Sequence, residues 1–206
     1  MSTHADPLEE LEVLLRSRYS VVALRTAEED RADSLLRHVA DRLEIPLFLW
    51  SRTRGLRRDG AEKGVYGTEE PAQALSHVQS SRMDALYHFR GLGPDLEDRR
   101  TARRLRDAAE PLEERRGAVV LTGHDLELPD VLRPVAATVS LPPPGEEELR
   151  DLLAGILRDL NRRGTVQVDT TPEERRALLR NLRGLTLMEA EKVLTRAIVE
   201  DGRLDP

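Results

Sequence analysis

Five short, nearly continuous apolar runs, each separated from the next by an amphipathic or polar stretch, constrain this chain more than any other feature. They are Tyr19 to Leu24 (YSVVAL), Pro46 to Trp50 (PLFLW), Asp84 to Arg90 (DALYHFR), Ala118 to Thr122 (AVVLT) and Ala136 to Leu141 (AATVSL). Runs of this length and composition read as strands. Glu29 to Leu43 reads as a helix with Leu35, Leu36, Val39 and Leu43 inward; Glu69 to Ser80 and Asp98 to Arg115 are also helical. Pro7 to Arg16 is a leading helix with Leu8, Leu11, Leu14 and Leu15 on one face. Strands joined through helices pair in parallel, and strands apolar on both faces are covered on both. The expectation is an α/β domain over residues 1–142: a five-stranded parallel sheet sandwiched by helices. Ser51 to about Gly67 is expected as a polar loop.

The pattern changes at Pro142-Pro143-Pro144-Gly145. Glu146 to Arg162 repeats Leu149, Leu152, Leu153, Ile156, Leu157 and Leu160 at helical spacing. Thr171-Pro172-Glu173-Glu174 carries a capping box with proline at the first helical position. Gly184 ends that helix, and Thr186 to Glu189 opens the next with a second box. Residues 145–206 therefore read as a small all-α domain, its helices ending near Leu204.

Composition narrows the function classes. Aromatics are 3% of residues, so the core is built from Leu, Val, Ile and Ala. Without cysteine there is no disulfide and no thiolate metal site. No apolar run reaches the roughly 18 residues of a membrane span, and the acidic start MSTHADPLEELE is no signal peptide. A cytoplasmic location is the expectation, with no membrane partner. The net charge of −6 opposes general affinity for polyanions.

The run LEELEVLLRSRYSVVALRTAEEDR, followed by FLWSRTRGL, resembles the N-terminal module of an AAA+ ATPase family found in cyanobacteria, algal plastids and many other bacteria. RRLRDAAEPLEERRGAVVLTGHDLELPDVL, SLPPPGEEEL and GLTLMEAEKVLTRAI extend the resemblance over nearly the whole chain. The resemblance implies an AAA+-like sheet followed by a helical lid. It also implies a degenerate module that precedes an intact ATPase module in longer members.

The residues themselves give the word degenerate its content. A phosphate-binding loop needs glycine-rich backbone and a lysine between the first strand and its helix. The junction here, Arg25-Thr26-Ala27-Glu28-Glu29-Asp30-Arg31, has neither. Thr26 and Glu29 have capping-box spacing, and three acids stand where phosphate would sit. The only lysines are Lys63, followed by Gly64, and Lys192, so neither completes the motif. The third strand ends Phe89-Arg90-Gly91-Leu92, where magnesium would require carboxylates; related sequences commonly have an acid near Gly91. No catalytic residue, cofactor or metal ligand is therefore assigned.

Six residues remain as candidate interface positions. Arg52, Arg54, Arg57 and Arg58 form a basic stretch that could read nucleic-acid phosphates; a salt-bridged loop is the plainer reading. Trp50 is either packing or an exposed anchor. Arg133 lies where AAA+ proteins often present an arginine to a neighbouring subunit; the plainer reading is a loop arginine. The alternating charges from Glu97 to Asp107 read as a solvated helix face. Thr122 reads as a strand terminus. His4, His38, His77, His88 and His124 show no ligand spacing. The resulting expectation is a non-catalytic pseudo-ATPase scaffold, working as a homo-oligomer or with an AAA+ ATPase partner. The alternatives are a nucleic-acid module using Arg52 to Arg58, and an enzyme at the cleft above the strand ends.

Overall fold

A computed structural model describes residues 6–163 and 171–201. The chain forms two compact units, Met1–Leu141 and Pro142–Pro206. His4, Leu204 and the Leu160 side chain lie outside what is described.

In the first unit, α1 (Pro7–Arg16) leads into β1 (Val21–Arg25), α2 (Glu29–Leu43), β2 (Leu47–Ser51) and β3 (Gly55–Arg58). Then come α3 (Pro71–Ser80), β4 (Leu86–Arg90), α4 (Arg99–Glu113), β5 (Ala118–Gly123) and β6 (Ala136–Ser140). Short 3-10 turns occupy Gly93–Glu97 and Arg133–Val135. The six strands lie in the order β3-β2-β4-β5-β1-β6, all parallel except β3, which runs antiparallel to β2.

The expected five-stranded sheet thus has a sixth strand, inside the stretch expected to be a polar loop. The hairpin turns through Gly55, whose φ of +62° suits glycine. It pairs Trp50 with Leu56 and Phe48 with Arg58. The Leu56 amide donates to Thr68 Oγ1 at 2.8 Å, and the Val65 amide donates to Leu56 O at 2.7 Å. Leu-Arg-Arg shows no apolar alternation, so long-range partners make this strand.

Alternate strand residues feed two cores, one on each face of the sheet. Val22, Leu24, Leu86 and Val120 pack with Leu11 of α1 and Leu36 and Val39 of α2. Val21, Ala23, Tyr87, Phe89 and Leu121 pack with Leu75 of α3 and Leu105 and Leu112 of α4. Each fully buried leucine contributes about 1.5–3 kcal/mol relative to exposure.

The start of α2 departs from expectation. Thr26 and Glu29 do not form a capping box. The Thr26 amide is still in the sheet, donating to Gly123 O at 3.2 Å. Its hydroxyl accepts from the Glu28 amide at 3.0 Å, and Glu28 becomes the N-cap. Continuation of the β1–β5 ladder delays the helix by two residues.

The second unit contains α5 (Glu146–Arg163), α6 (Pro172–Asn181) and α7 (Leu187–Asp201). Leu149, Leu153, Leu178, Leu179, Leu182, Ala190 and Leu194 form its core. Thr171 and Glu174 make a reciprocal box at 3.2 and 2.8 Å, and Thr186 and Glu189 another at 3.2 and 2.9 Å. The backbone N–H of each threonine holds its glutamate carboxyl below the usual range.

Candidate functional site

The carboxyl ends of strands are where open α/β sheets bind ligands. Here that edge is made by β1, β4 and β5, with the first turns of α2 above. His88 and Arg90 are two apart on β4 and share the face that carries α2. Thr122 of β5 is the register partner of Arg90. Asp33, one turn into α2, completes the cluster.

The geometry is a continuous network. His88 Nδ1 stands 2.7 Å from Asp33 Oδ1, and His88 Nε2 stands 3.0 Å from Thr122 Oγ1. Arg90 Nε donates to Asp33 Oδ1 at 3.2 Å, and the rest of the guanidinium forms an ion pair with the same carboxylate. His88 is fully buried, Thr122 is 3% exposed and Asp33 6%. An ionised Asp33 accepts only, so Nδ1 carries the proton; Nε2 then accepts from the Thr122 hydroxyl. Burial pushes the His88 pKa down to about 4, against the upward pull of Glu29.

The order hydroxyl, imidazole, carboxylate resembles that of a nucleophile, base and orienter. Two features argue for a structural reading instead. The hydroxyl is buried, and Arg90 already neutralises the carboxylate that would stabilise an imidazolium. A satisfied buried network of this kind rigidifies and specifies a unique packing. It ties α2 to β4 and β5 at the carboxyl edge of the sheet.

This arrangement has a pH consequence. The folded-state pKa of His88 lies below the usual 6.5, so the unfolded chain binds the proton first. The effect on stability is absent above about pH 6.5 and grows as pH falls toward 4, reaching roughly 3 kcal/mol. Urea midpoints of the native protein should fall more steeply across that window than those of His88→Gln. Parallel pH profiles would exclude His88 as the cause.

The sequence singled out none of this cluster as a unit. His88 counted among scattered histidines, Thr122 as a strand end, and Asp33 not at all. The one available signal was a polar triplet in otherwise apolar strands, His88, Arg90 and Thr122, all on one face.

The candidate interface residues separate. Trp50 is corrected from possible anchor to core: it is 1% exposed, stacks on Phe89 at 5.1 Å and donates to Thr68 O at 2.7 Å. Arg52 binds Glu70 at 3.2 Å and Asp95 at 2.5 Å, joining the starts of α3 and the 3-10 turn before α4. Arg54 is exposed in the hairpin turn. Arg57 and Arg58 are neighbours on β3 and point to opposite faces of the sheet. The four arginines therefore do not make one basic surface. Arg133 is largely exposed and pairs with Asp130 at 3.0 Å. Among the described residues no cluster of three or more His, Asp or Glu is placed to hold a metal ion. No described helix is long and apolar enough to cross a membrane.

A mostly parallel sheet in this strand order, followed by a helical unit, defines an AAA-type module. The same fold occurs in the FIGL-1 AAA domain solved in complex with ADP, with a TM-score of 0.63 and 15% identity. That match covers 93% of this chain and 65% of that one. C. elegans PCH-2 shares it with a TM-score of 0.60 and 13% identity, over 97% of this chain and 63% of that one. At these identities the likeness is one of fold.

The chain belongs to the SpoVK-like AAA ATPase family: residues 7–141 match its N-terminal domain and residues 147–206 its second domain. The AAA domain-containing protein ycf46 of Trieres chinensis is 25% identical over 200 residues, 96% of this chain and 39% of that protein. Its counterpart from Pyropia yezoensis is 21% identical over the same length, with the same coverage. The chain spans about two fifths of the length of the curated relatives it matches.

Proposed function

We propose that this chain is a non-hydrolysing AAA-type module. It serves assembly or partner docking, as the leading part of an active AAA+ ATPase or beside one. The observation that carries this reading is the Arg90–Asp33 pair. Hydrolysis needs a carboxylate at the end of this strand to hold magnesium and order water. The strand ends instead in a cation, bound to a carboxylate from α2. Glu28, Glu29 and Asp30 add negative charge at the helix N-terminus, where a phosphate would need N–H groups. Membership of an ATPase family is compatible with this reading if a further module of the longer relatives carries the hydrolysis.

Assembly is the role left to a retained AAA architecture. Arg133, exposed beside β6, would lie near a subunit boundary. Arg52, held by Glu70 and Asp95, is already engaged within the chain and argues against a nucleic-acid surface.

Isothermal titration of the 206-residue chain with Mg-ATP should give no saturable heat up to millimolar nucleotide, and no phosphate release. Micromolar binding that disappears when Arg90 or the Thr26–Arg31 junction is changed would overturn the reading. Sedimentation across a concentration series, alone and with an active AAA+ protein from the same cell, should show association. A strict monomer in both settings would remove the assembly role.

A further inference from the structure

We infer that the shallow groove between α3 and α4 docks an acidic segment of a partner protein, anchored by Arg104 and Tyr66, with Arg100 one helical turn away. This rests on the docking role proposed above and names its surface.

The groove encloses about 360 Å³ and is lined by Tyr66, Gln73, Ser76, His77 and Arg104, among others. Tyr66 is fully exposed, at 102%. The loop that presents it is nonetheless pinned on both sides. The Val65 amide donates to Leu56 O at 2.7 Å, and the Thr68 hydroxyl donates to Val65 O at 2.6 Å. An aromatic held in water by an ordered backbone loses little entropy on binding, and tyrosine and arginine dominate binding hot spots.

The arginines point to the partner's charge. Ala102, Leu105, Ala108, Ala109 and Leu112 are the buried stripe of α4. At 3.6 residues per turn, Arg100 and Arg104 share one flank of that stripe, a turn apart. Two other arginines of α4 are paired within the helix, Arg103 to Asp107 at 2.9 Å and Arg106 to Glu113 at 3.0 Å. Arg104 forms no ion pair among the described residues, while the Arg100 guanidinium acts on the Asp98 carboxylate at the N-cap. Arg100 and Arg104 both stand in the first two turns of α4, the end of a helix dipole that disfavours cations. Asp98 at the N-cap offsets that cost for Arg100; for Arg104 the helix supplies no such partner, and an acidic ligand would.

A protein segment fits better than a nucleic acid. Two exposed arginines beside a tyrosine and an amide make a short mixed surface. Binding along a phosphate backbone draws on many cations, and the net charge of −6 repels a long polyanion.

Fluorescence anisotropy with the full chain tests this. The probes are a short labelled Glu-rich peptide, its Gln counterpart, and an oligothymidylate of equal charge. The acidic peptide should bind saturably and the Gln peptide should not. Affinity should fall as salt rises. Arg100→Glu with Arg104→Glu, and separately Tyr66→Ala, should each weaken it at least about tenfold. Thermal melts should not fall, because all three side chains are exposed and acidic replacements suit the start of α4. Absence of saturable acidic-peptide binding, binding indifferent to these variants, or equal binding of the oligothymidylate would each overturn the inference. Failure here, with ATP still unbound, removes only this surface; ATP binding with peptide binding intact removes the non-hydrolysing reading instead.

Discussion

Replacing Asp33 with alanine is expected to destabilise the α/β unit by about 3–5 kcal/mol, the range for removing one partner of a buried ion pair. Asp33 is the hub of its network: it accepts from His88 and pairs with Arg90. Without it, a fully buried imidazole loses its acceptor and a guanidinium that is 22% exposed loses its counter-charge. Partial hydration of Arg90 places the expected value toward the lower end. Asp33→Asn should cost less, since the amide oxygen still accepts from His88. Asp33→Ala combined with Arg90→Met should recover part of the loss, because no cation is then stranded. Thermal and urea unfolding read the effect, and a loss of 3 kcal/mol corresponds to roughly 10 °C in a unit of this size. A loss under about 1 kcal/mol would mean that the cluster behaves like a surface pair and does not hold α2 to the sheet. Unaltered stability combined with newly acquired ATP binding would be more damaging, since it would make Asp33 a guard over a working nucleotide site.

The second large effect is expected at Trp50. It is among the largest fully buried side chains, wedged between Phe89 and the Thr68 carbonyl. Trp50→Ala should cost about 3–5 kcal/mol, from lost burial and the cavity left behind. Trp50→Phe keeps the stacking and loses the indole hydrogen bond, so its cost should be clearly smaller. Neither should change the association state of the folded fraction. A stable Trp50→Ala protein with weakened assembly would restore the anchor reading, and equilibrium unfolding beside sedimentation separates the two outcomes.

The strand–helix alternation was readable because the central strands β1, β4 and β5 are buried on both faces and each helix on one. Burial forces apolar runs of about five residues in the first case and a 3.6-residue stripe in the second. The lid's two boxes were equally plain, since a threonine and a glutamate three apart need only local backbone to find each other. The same spacing at Thr26 and Glu29 misled, because the Thr26 amide belongs to the β1–β5 ladder, a constraint from nearly a hundred residues away. β3 was invisible for a similar reason: its register comes from β2 and Thr68, not from any pattern in Leu56-Arg57-Arg58.

That no glycine- and lysine-bearing phosphate motif lies between β1 and α2, and no carboxylate within Arg90-Gly91-Leu92, is legible in the sequence alone, because such motifs are particular residues at fixed local offsets. What replaces them belongs to the tertiary structure. Asp33, His88, Arg90 and Thr122 come from one helix and two strands, and neither charge nor spacing along the chain brings them together. Their pairing follows from strand order, which sets β4 beside β5 with α2 across both. Only there does burial make an aspartate, an arginine and a histidine satisfy one another, while Trp50, legible as a strand-end aromatic, becomes core because β3 and the Thr68 loop close over it.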